Sequence, residues 1–254
     1  MINKIKQLIS SGLIYPEYKF ESNKSLKGKV ILVTGASKGL GKALAEILYA
    51  EGASLALVAR DQNSLKDFVS KMDSKKILML AGDINDEAFV KDFIKKVTLK
   101  YGKIDCLVNN AGIFNNQSIE SIEVKDFDEL MGTNLKAVFL MCKTVLPIMK
   151  SRKSGLIINV GSKISHNSNI APNKVAYATS KYALEGFSLS LGKELEKWGI
   201  KVTCVMPATL ANFVSLKTKT FLHPYKAAEV INMIIKLEDV YFESVLYKSK
   251  DQSI

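Results

Sequence analysis

Two residues placed four positions apart, Tyr177 and Lys181, could carry acid–base chemistry. The surrounding sequence predicts a helix over Lys174–Trp198, and residues four apart in a helix share one face. An ammonium beside a phenol favours the phenolate and is expected to lower the tyrosine pKa from about 10. Such a tyrosine can exchange a proton with an alcohol or carbonyl oxygen near neutral pH. Taken alone, the same spacing usually marks a buried tyrosine ring beside a lysine whose amine reaches solvent. Other motifs in the sequence must therefore decide between the catalytic and the structural interpretation.

A glycine-rich turn could bind phosphate. The apolar run Val30–Thr34 leads into Gly-Ala-Ser-Lys-Gly-Leu-Gly at residues 35–41, and a helical pattern follows over Lys42–Ala50. Glycines allow a sharp turn from strand to helix and let backbone N–H groups approach a pyrophosphate, to which the helix N-terminus adds donors and partial positive charge. The spacing is GxxxGxG, not the GxGxxG of the general dinucleotide motif. The turn predicts a dinucleotide site, with a simple tight turn as the alternative.

Short apolar runs alternate with longer amphipathic segments along most of the chain. This pattern predicts βαβ units and a parallel sheet covered on both faces, that is, a Rossmann-like, doubly wound α/β fold in a single domain over residues 28–254. Ligands then bind at the carboxyl ends of the strands. The predicted strands are Val30–Thr34, Leu55–Ala59, Ile77–Leu80, Ile104–Val108, Gly155–Val160 and Lys201–Val205, with Val240–Tyr247 as a further candidate; the predicted helices include Lys42–Ala50, Glu87–Lys100, Val124–Lys150 and Lys174–Trp198.

Residues 1–27 precede the first strand as an N-terminal extension. Their isoleucines and leucines recur every three to four positions, with lysines between them. We expect an arm packed on the domain or on a partner subunit. An amphipathic helix for membrane-surface contact or organelle targeting is the alternative.

The composition limits which other functions and partners the protein can have. The 254 residues carry a formal charge of +11, but the lysines are spread along the chain, so we interpret them as a solvated surface and expect no nucleic acid partner. No apolar run approaches the roughly 20 residues that span a bilayer. Cys106, Cys142 and Cys204 lack metal-ligand spacing, so we expect neither a metal site nor a disulfide framework, and a cytoplasmic location.

Four motifs in order resemble those of the short-chain dehydrogenase/reductase (SDR) family over roughly residues 28–207. The turn resembles the TGxxxGxG motif, Asn-Asn-Ala-Gly at 109–112 resembles NNAG, Asn134 resembles the helix asparagine, and Tyr177 to Lys181 match YxxxK. Together these motifs are far more specific than any one of them. The resemblance implies hydride transfer between a nicotinamide cofactor and a carbonyl or alcohol carbon, with no metal.

The resemblance also implies roles for single residues. The catalytic set is Asn134, Ser162, Tyr177 and Lys181, with Ser162 binding the substrate oxygen and Asn134 binding a water that links Lys181 to solvent. Ser165 is the alternative. Ser162 is favoured because Ser162 directly follows a strand. The expected cofactor-binding residues are Gly35, Ser37, Lys38, Gly39, Leu40, Arg60, Asp83, Ile84, Asn110, Gly112, Tyr177, Lys181 and Leu210.

The end of the second strand indicates which cofactor is used. Family members that use NAD place an acidic residue there, whereas this chain has Ala59 followed by Arg60. Arg60 and Lys38 could pair with a 2′-phosphate, so NADP(H) is expected. A small shift in register would let Asp61 bind a ribose hydroxyl instead and favour NAD(H).

The sequence departs from the family pattern after the sixth strand, where Pro207-Ala208 replaces the usual Pro-Gly. Alanine lacks glycine's freedom at positive φ, so a differently shaped loop is expected there. We predict an NADP(H)-dependent oxidoreductase for a small carbonyl or alcohol, and a homo-oligomer. The alternatives are a non-catalytic NADP(H)-binding regulatory or scaffold protein and a protein that binds membranes or nucleic acid through its positive charge. The substrate is not predicted.

Overall fold

A parallel β-sheet forms the centre of the protein. The computed structural model describes residues 25–70, 72–166, 170–208, 222–237 and 240–247. Within these ranges the strands are β1 (Val30–Thr34), β2 (Ser54–Ala59), β3 (Ile77–Ala81), β4 (Cys106–Asn109), β5 (Gly155–Val160), β6 (Ile200–Pro207) and β7 (Ser244–Tyr247). They form one seven-stranded sheet in the order β3-β2-β1-β4-β5-β6-β7, and every neighbouring pair is parallel. The reversal of strand order between β1 and β4 is the position where doubly wound sheets bind ligands.

Helices connect the strands. The α-helices are α1 (Gly39–Ala50), α2 (Gln62–Val69), α3 (Glu87–Tyr101), α4 (Val124–Met131), α5 (Ala137–Arg152), α6 (Val175–Leu195) and α7 (Pro224–Lys236). A five-residue π-helical segment, Gly132–Lys136, joins α4 to α5. Short 3-10 turns, Lys163–His166 and Glu196–Trp198, follow β5 and α6.

The core has two layers because successive strand residues point to opposite faces of the sheet. In β1, Ile31 and Val33 pack in one apolar cluster, with α1 and α7, while Val30 and Leu32 pack in the other, with α3, α5 and α6. All four side chains are buried. The sheet is therefore covered on both faces, which confirms the predicted α/β doubly wound architecture.

The bounds of several elements differ from prediction. The helix expected over Val124–Lys150 is interrupted by the π segment at Gly132–Lys136, and the strand expected at Ile104 begins at Cys106. The tail adds the expected last strand, but only over Ser244–Tyr247.

Residues 1–24 of the predicted N-terminal extension lie outside the described residues, so its role stays a prediction. Leu26, placed in the extension, is buried in the core, and its N–H donates to the Glu51 carbonyl. Of the helices in the described ranges, none is both long and apolar enough to cross a membrane.

All three cysteines are free and buried in the core, Cys106 in β4, Cys142 in α5 and Cys204 in β6. Burial raises the pKa of the Cys142 thiol to about 12 and that of Cys204 to about 11, and it raises the pKa of Cys106 further. These thiols are therefore protonated at neutral pH.

Candidate active site

A cleft opens at the carboxyl ends of β1 to β4, at the point where the strand order reverses. Its volume is about 310 Å³. Eight residues predicted to bind the cofactor line it: Gly35, Ser37, Lys38, Arg60, Asp83, Ile84, Asn110 and Gly112. The structure thus gathers residues from four separate segments of the sequence at one place.

The glycine turn at the cleft depends on a close backbone approach. A Cβ on Gly41 would lie 2.2 Å from the Gly35 carbonyl oxygen and 2.5 Å from Asn110 Nδ2. Gly35 and Gly39 both have positive φ, +67° and +56°. The chain can pass from β1 into α1 this tightly only with glycine at these positions. Gly39 begins α1, so the first backbone N–H groups of that helix lie at the turn, whereas the Leu40 side chain packs in the core.

Asn110 holds the turn in place. Its Nδ2 donates to the carbonyl oxygens of Thr34 at 2.9 Å and Gly35 at 3.2 Å. In return, the backbone N–H groups of Asn110 and Ala111 both donate to Thr34 Oγ1 at 3.0 Å. These contacts fix the end of β4 against the end of β1. Asn110 therefore acts mainly on the shape of the phosphate-binding turn.

The cleft wall after β2 carries two side chains that bear on cofactor choice. Arg60 Nη1 lies 3.5 Å from Glu129 Oε1, and both side chains are more than half exposed, so this contact is weak. Asp61 caps α2: Oδ1 accepts from the Ser64 N–H at 3.0 Å and Oδ2 from the Ser64 hydroxyl at 2.6 Å. These hydrogen bonds lower the pKa of the Asp61 carboxyl, with a smaller effect from Lys38. Asp61 thus already has local partners, whereas the guanidinium of Arg60 is weakly held.

The predicted proton-transfer residues lie at the end of β5 and the start of α6. Ser162 and Tyr177 share a side-chain hydrogen bond. Ser165, the alternative serine, is buried and turned inwards, with its hydroxyl donating to the Ser162 carbonyl at 3.0 Å. The geometry therefore favours Ser162 as the serine that faces Tyr177.

Lys181 and Asn134 meet beside the loop that follows β4. Lys181 is buried and its Nζ donates to the Val160 carbonyl at 2.9 Å. Asn134 Oδ1 accepts from the Ile113 N–H at 2.9 Å, and its Nδ2 donates to the Ile113 carbonyl at 3.0 Å. A Cβ on Gly112 would lie 3.2 Å from Asn134 Oδ1 and 3.7 Å from Lys181 Nζ. Since Gly112 and Ile113 also line the cleft, Lys181 and Asn134 lie beside it.

The pKa of Tyr177 differs from the sequence-based expectation. It is raised, because burial of the phenol outweighs the hydrogen bond with Ser162, which acts in the opposite direction. Lys181 Nζ lies 5.9 Å from the centre of the Tyr177 ring and donates to a carbonyl instead. The expectation that the phenol pKa is lowered overall was therefore wrong, because burial has the larger effect. It is the pKa of Lys181 that is lowered, to about 8, because the amine is buried.

Comparison with known proteins agrees with this geometry. The family model described as short chain dehydrogenase matches residues 29–220. The chain belongs to the short-chain dehydrogenase family. Oxidoreductase BOA17 of Botryotinia fuckeliana is 35% identical over 205 residues, 78% of this chain and 73% of that protein. The 3-oxoacyl-(acyl-carrier-protein) reductase FabG of Salmonella typhimurium is 35% identical over 184 residues, 72% of this chain and 74% of that protein.

Solved structures show the same relationship. A metagenomic short-chain oxidoreductase in complex with NADP has a TM-score of 0.77 and 29% identity, covering 89% of this chain and 100% of that one. A short-chain dehydrogenase from Streptomyces avermitilis has a TM-score of 0.79 and 26% identity, covering 87% of this chain and 88% of that one. Members of the family are oxidoreductases that use nicotinamide cofactors on small-molecule substrates, and they often form oligomers.

Sequence reasoning missed several polar residues of this short-chain dehydrogenase. Asn85 and Thr133 line the cleft, with Asn85 Nδ2 3.4 Å from Thr133 Oγ1 and Asn85 Oδ1 buried without a partner in the described residues. Ser180 accepts a hydrogen bond from Asn134 Nδ2 at 3.0 Å. None of these has a spacing that marks it, because their partners are distant in sequence.

A buried polar network lies beneath the site and was also missed. Asn109 Nδ2 donates to Asn159 Oδ1 at 2.8 Å, and Asn159 Nδ2 donates to Ser188 Oγ at 2.9 Å. All three residues are buried. The network ties the ends of β4 and β5 to α6, the helix that carries Tyr177 and Lys181.

The substrate side of this short-chain dehydrogenase is described only in part. Leu210, predicted to approach the cofactor, lies outside the described residues, as do positions 209–221. Ala208 is buried, its N–H donates to the Tyr247 carbonyl at 2.9 Å, and it does not have positive φ. The differently shaped loop predicted to follow Ala208 lies outside the described residues and stays a prediction. Within the described ranges, no group of three potential metal ligands occurs.

Proposed function

We propose that this short-chain dehydrogenase interconverts a carbonyl and a secondary alcohol with NADP(H), with Tyr177 as the general acid and base. The observation that carries the proposal is the convergence of Ser162, Tyr177, Lys181 and Asn134 beside a cleft that begins at a glycine turn. The proposal needs both features. The cleft predicts a dinucleotide, and the polar cluster predicts proton transfer.

The residues present fit a nicotinamide dinucleotide. The backbone leaves no room for a side chain at Gly35 or Gly41, and the N-terminus of α1 lies at the turn, as a pyrophosphate requires. Gly112 keeps the path towards Asn134 and Lys181 free of a side chain. A bound cofactor would supply or accept the hydride.

The protein's own groups would hold the substrate and move the proton. Ser162 binds the carbonyl oxygen and orients it towards the Tyr177 hydroxyl, which donates its proton during reduction and accepts one during oxidation. Lys181, in its charged form, stabilises the phenolate as the proton leaves. Asn134, fixed by Ile113, holds a water that returns the proton from solvent. Because the pKa of Lys181 is lowered to about 8, its charge is retained at neutral pH and lost in mildly alkaline solution.

Arg60 and Lys38 support the preference for NADP(H). Both line the cleft, and Arg60 has only the exposed Glu129 as a partner in the described residues. A 2′-phosphate would accept paired hydrogen bonds from the guanidinium. Asp61, the residue that could favour NAD(H), directs both carboxylate oxygens to Ser64. The related metagenomic structure, solved with NADP, points to the same cofactor.

We also propose a homo-oligomer. Large apolar side chains stay exposed on two helices that cover the same sheet face, including Phe139 on α5 and Tyr182 and Leu189 on α6, with exposures of 39–46%. Burial against a second copy would remove this surface from water. Sedimentation at several concentrations checks the proposal, and a monomer throughout would refute it.

The test measures NADPH and NADH binding by fluorescence, then oxidation of each with a panel of carbonyl compounds. The variants are the wild type, Tyr177→Phe and, as a matched control on the same helix, Tyr182→Phe. We expect all three to bind NADPH, and Tyr177→Phe alone to lose turnover by about 100-fold or more. Binding without turnover by the wild type would favour a regulatory protein, and failure to bind either nucleotide would refute the proposal.

A further inference from the structure

A lysine and a phenylalanine stand at the rim of the site, next to Tyr177. The ring of Phe114, in the loop after β4, packs edge-on against the Tyr177 ring with centroids 4.9 Å apart. Lys174 Nζ lies over the Phe114 ring, 4.0 Å from its centre. Tyr177 and Lys174 therefore contact the same aromatic ring. Phe114 remains 59% exposed, so the pair faces open space rather than the core.

The charge of Lys174 has no carboxylate partner in the part of the chain that the structure describes. Within the described ranges its amine bonds to Asn116 Oδ1 at 2.5 Å, and no ion pair includes it. An amide oxygen and an aromatic face orient an ammonium without neutralising it. A positive charge is therefore held beside the reaction centre and remains available to an anion.

The backbone before Lys174 is constrained as well. Asn173 has φ of +61°, one of only two residues other than glycine with positive φ in the described residues. Such a conformation costs free energy and persists where the surroundings determine it. It sets the direction in which the chain enters α6, and hence the position of Lys174 three residues before Tyr177.

We infer that Lys174, oriented by Phe114 and Asn116, selects carbonyl substrates that carry an anionic group, a carboxylate or a phosphate, a few bonds away from the reacting carbon. The inference rests on the proposed function and narrows its substrate class. The carbonyl would reach Ser162 and Tyr177 while the anion meets Lys174 at the rim. A charge-assisted contact of this kind typically contributes about tenfold or more to kcat/KM.

The experiment compares methyl ketones whose carboxylate lies progressively farther from the carbonyl, each against its methyl ester, with NADPH as the reductant. The quantity measured is the ratio of kcat/KM for the acid to that for the ester. We expect the wild type to prefer the acid at one chain length, and Lys174→Met, which keeps the apolar stem, to reduce the ratio about tenfold. Lys174→Arg should restore much of it. Lys193→Gln, which removes an exposed charge from the same helix, should leave the ratio unchanged.

Two results would overturn the inference while leaving the proposed function intact: a wild-type ratio near one at every length, or a preference that survives in Lys174→Met. If NADPH binds but no ketone is reduced, the acids and esters are compared as ligands of the NADPH complex by calorimetry, where equal affinities refute the inference. Failure to bind NADPH would instead refute the proposed function. A repeat with a phosphate-bearing ketone distinguishes the two anions.

Discussion

Replacing Lys181 with methionine should make the protein more stable at neutral pH while removing its activity. Lys181 is almost fully buried, and burial lowers its pKa from 10.5 to about 8. At 1.36 kcal/mol for each pKa unit, the folded protein loses about 3 kcal/mol by keeping this amine charged. Methionine fills similar space without the charge but also loses the hydrogen bond to the Val160 carbonyl, worth about 1 kcal/mol. The net gain in the free energy of unfolding is about 2 kcal/mol.

The sign of the pH dependence follows from the same shift. Below about pH 8 the amine is protonated in both the folded and the unfolded chain, so the full penalty is present. Between about pH 8 and 10.5 the unfolded chain binds more protons than the folded one, so the wild type gains stability as the pH rises. The advantage of Lys181→Met should therefore shrink by about 2 kcal/mol between about pH 7 and pH 9.5.

Urea unfolding of the wild type and Lys181→Met at both pH values measures this difference. Groups common to both proteins cancel in the comparison. Lys193→Met serves as the control, because its side chain is 72% exposed and its removal should produce no such pH dependence. A stability difference that stays constant with pH, or a methionine variant that is less stable at neutral pH, would refute the reasoning.

Three further predictions concern the cofactor cleft and the network beneath it. Arg60→Ala should weaken NADPH binding about tenfold and leave NADH binding nearly unchanged, and an equal loss for both nucleotides by fluorescence titration would contradict the assigned role. Gly41→Ala should lower both NADPH affinity and the free energy of unfolding, the latter by about 1–3 kcal/mol, because its Cβ would meet the Gly35 carbonyl oxygen at 2.2 Å; wild-type affinity would show that the turn can relax. Asn159→Ala should destabilise the fold by about 2–4 kcal/mol, since it leaves Asn109 and Ser188 buried without this partner; a loss under about 1 kcal/mol in urea unfolding would mean that water or rearrangement replaces the contacts.

The sequence predicted those features that depend on neighbouring residues. The strands from Val30 and Gly155 were predicted with correct bounds, because β-branched runs between turn residues specify them locally. The glycine turn and the Tyr177–Lys181 pair were visible for the same reason. The cleft gathers most of the predicted cofactor residues because parallel strands end at one edge of the sheet.

The features that were missed depend on contacts between distant segments. The π segment around Asn134 could not be read from a helical pattern, because it accompanies bonds to Ile113 and Ser180. The pKa of Tyr177 was expected in the wrong direction because spacing gives proximity to Lys181, whereas burial and the Val160 carbonyl determine the outcome. Asn85 and Asn159 have roles that only tertiary structure reveals.

The buried thiols provide an internal measure of how the fold opens. Cys106, Cys142 and Cys204 are protonated and shielded, so a thiolate-directed alkylating reagent reaches each one only after local or global opening. Because they lie in β4, α5 and β6, their labelling rates report on three different parts of the core. Mass spectrometry of timed alkylation would therefore map which layer separates first, without any introduced probe.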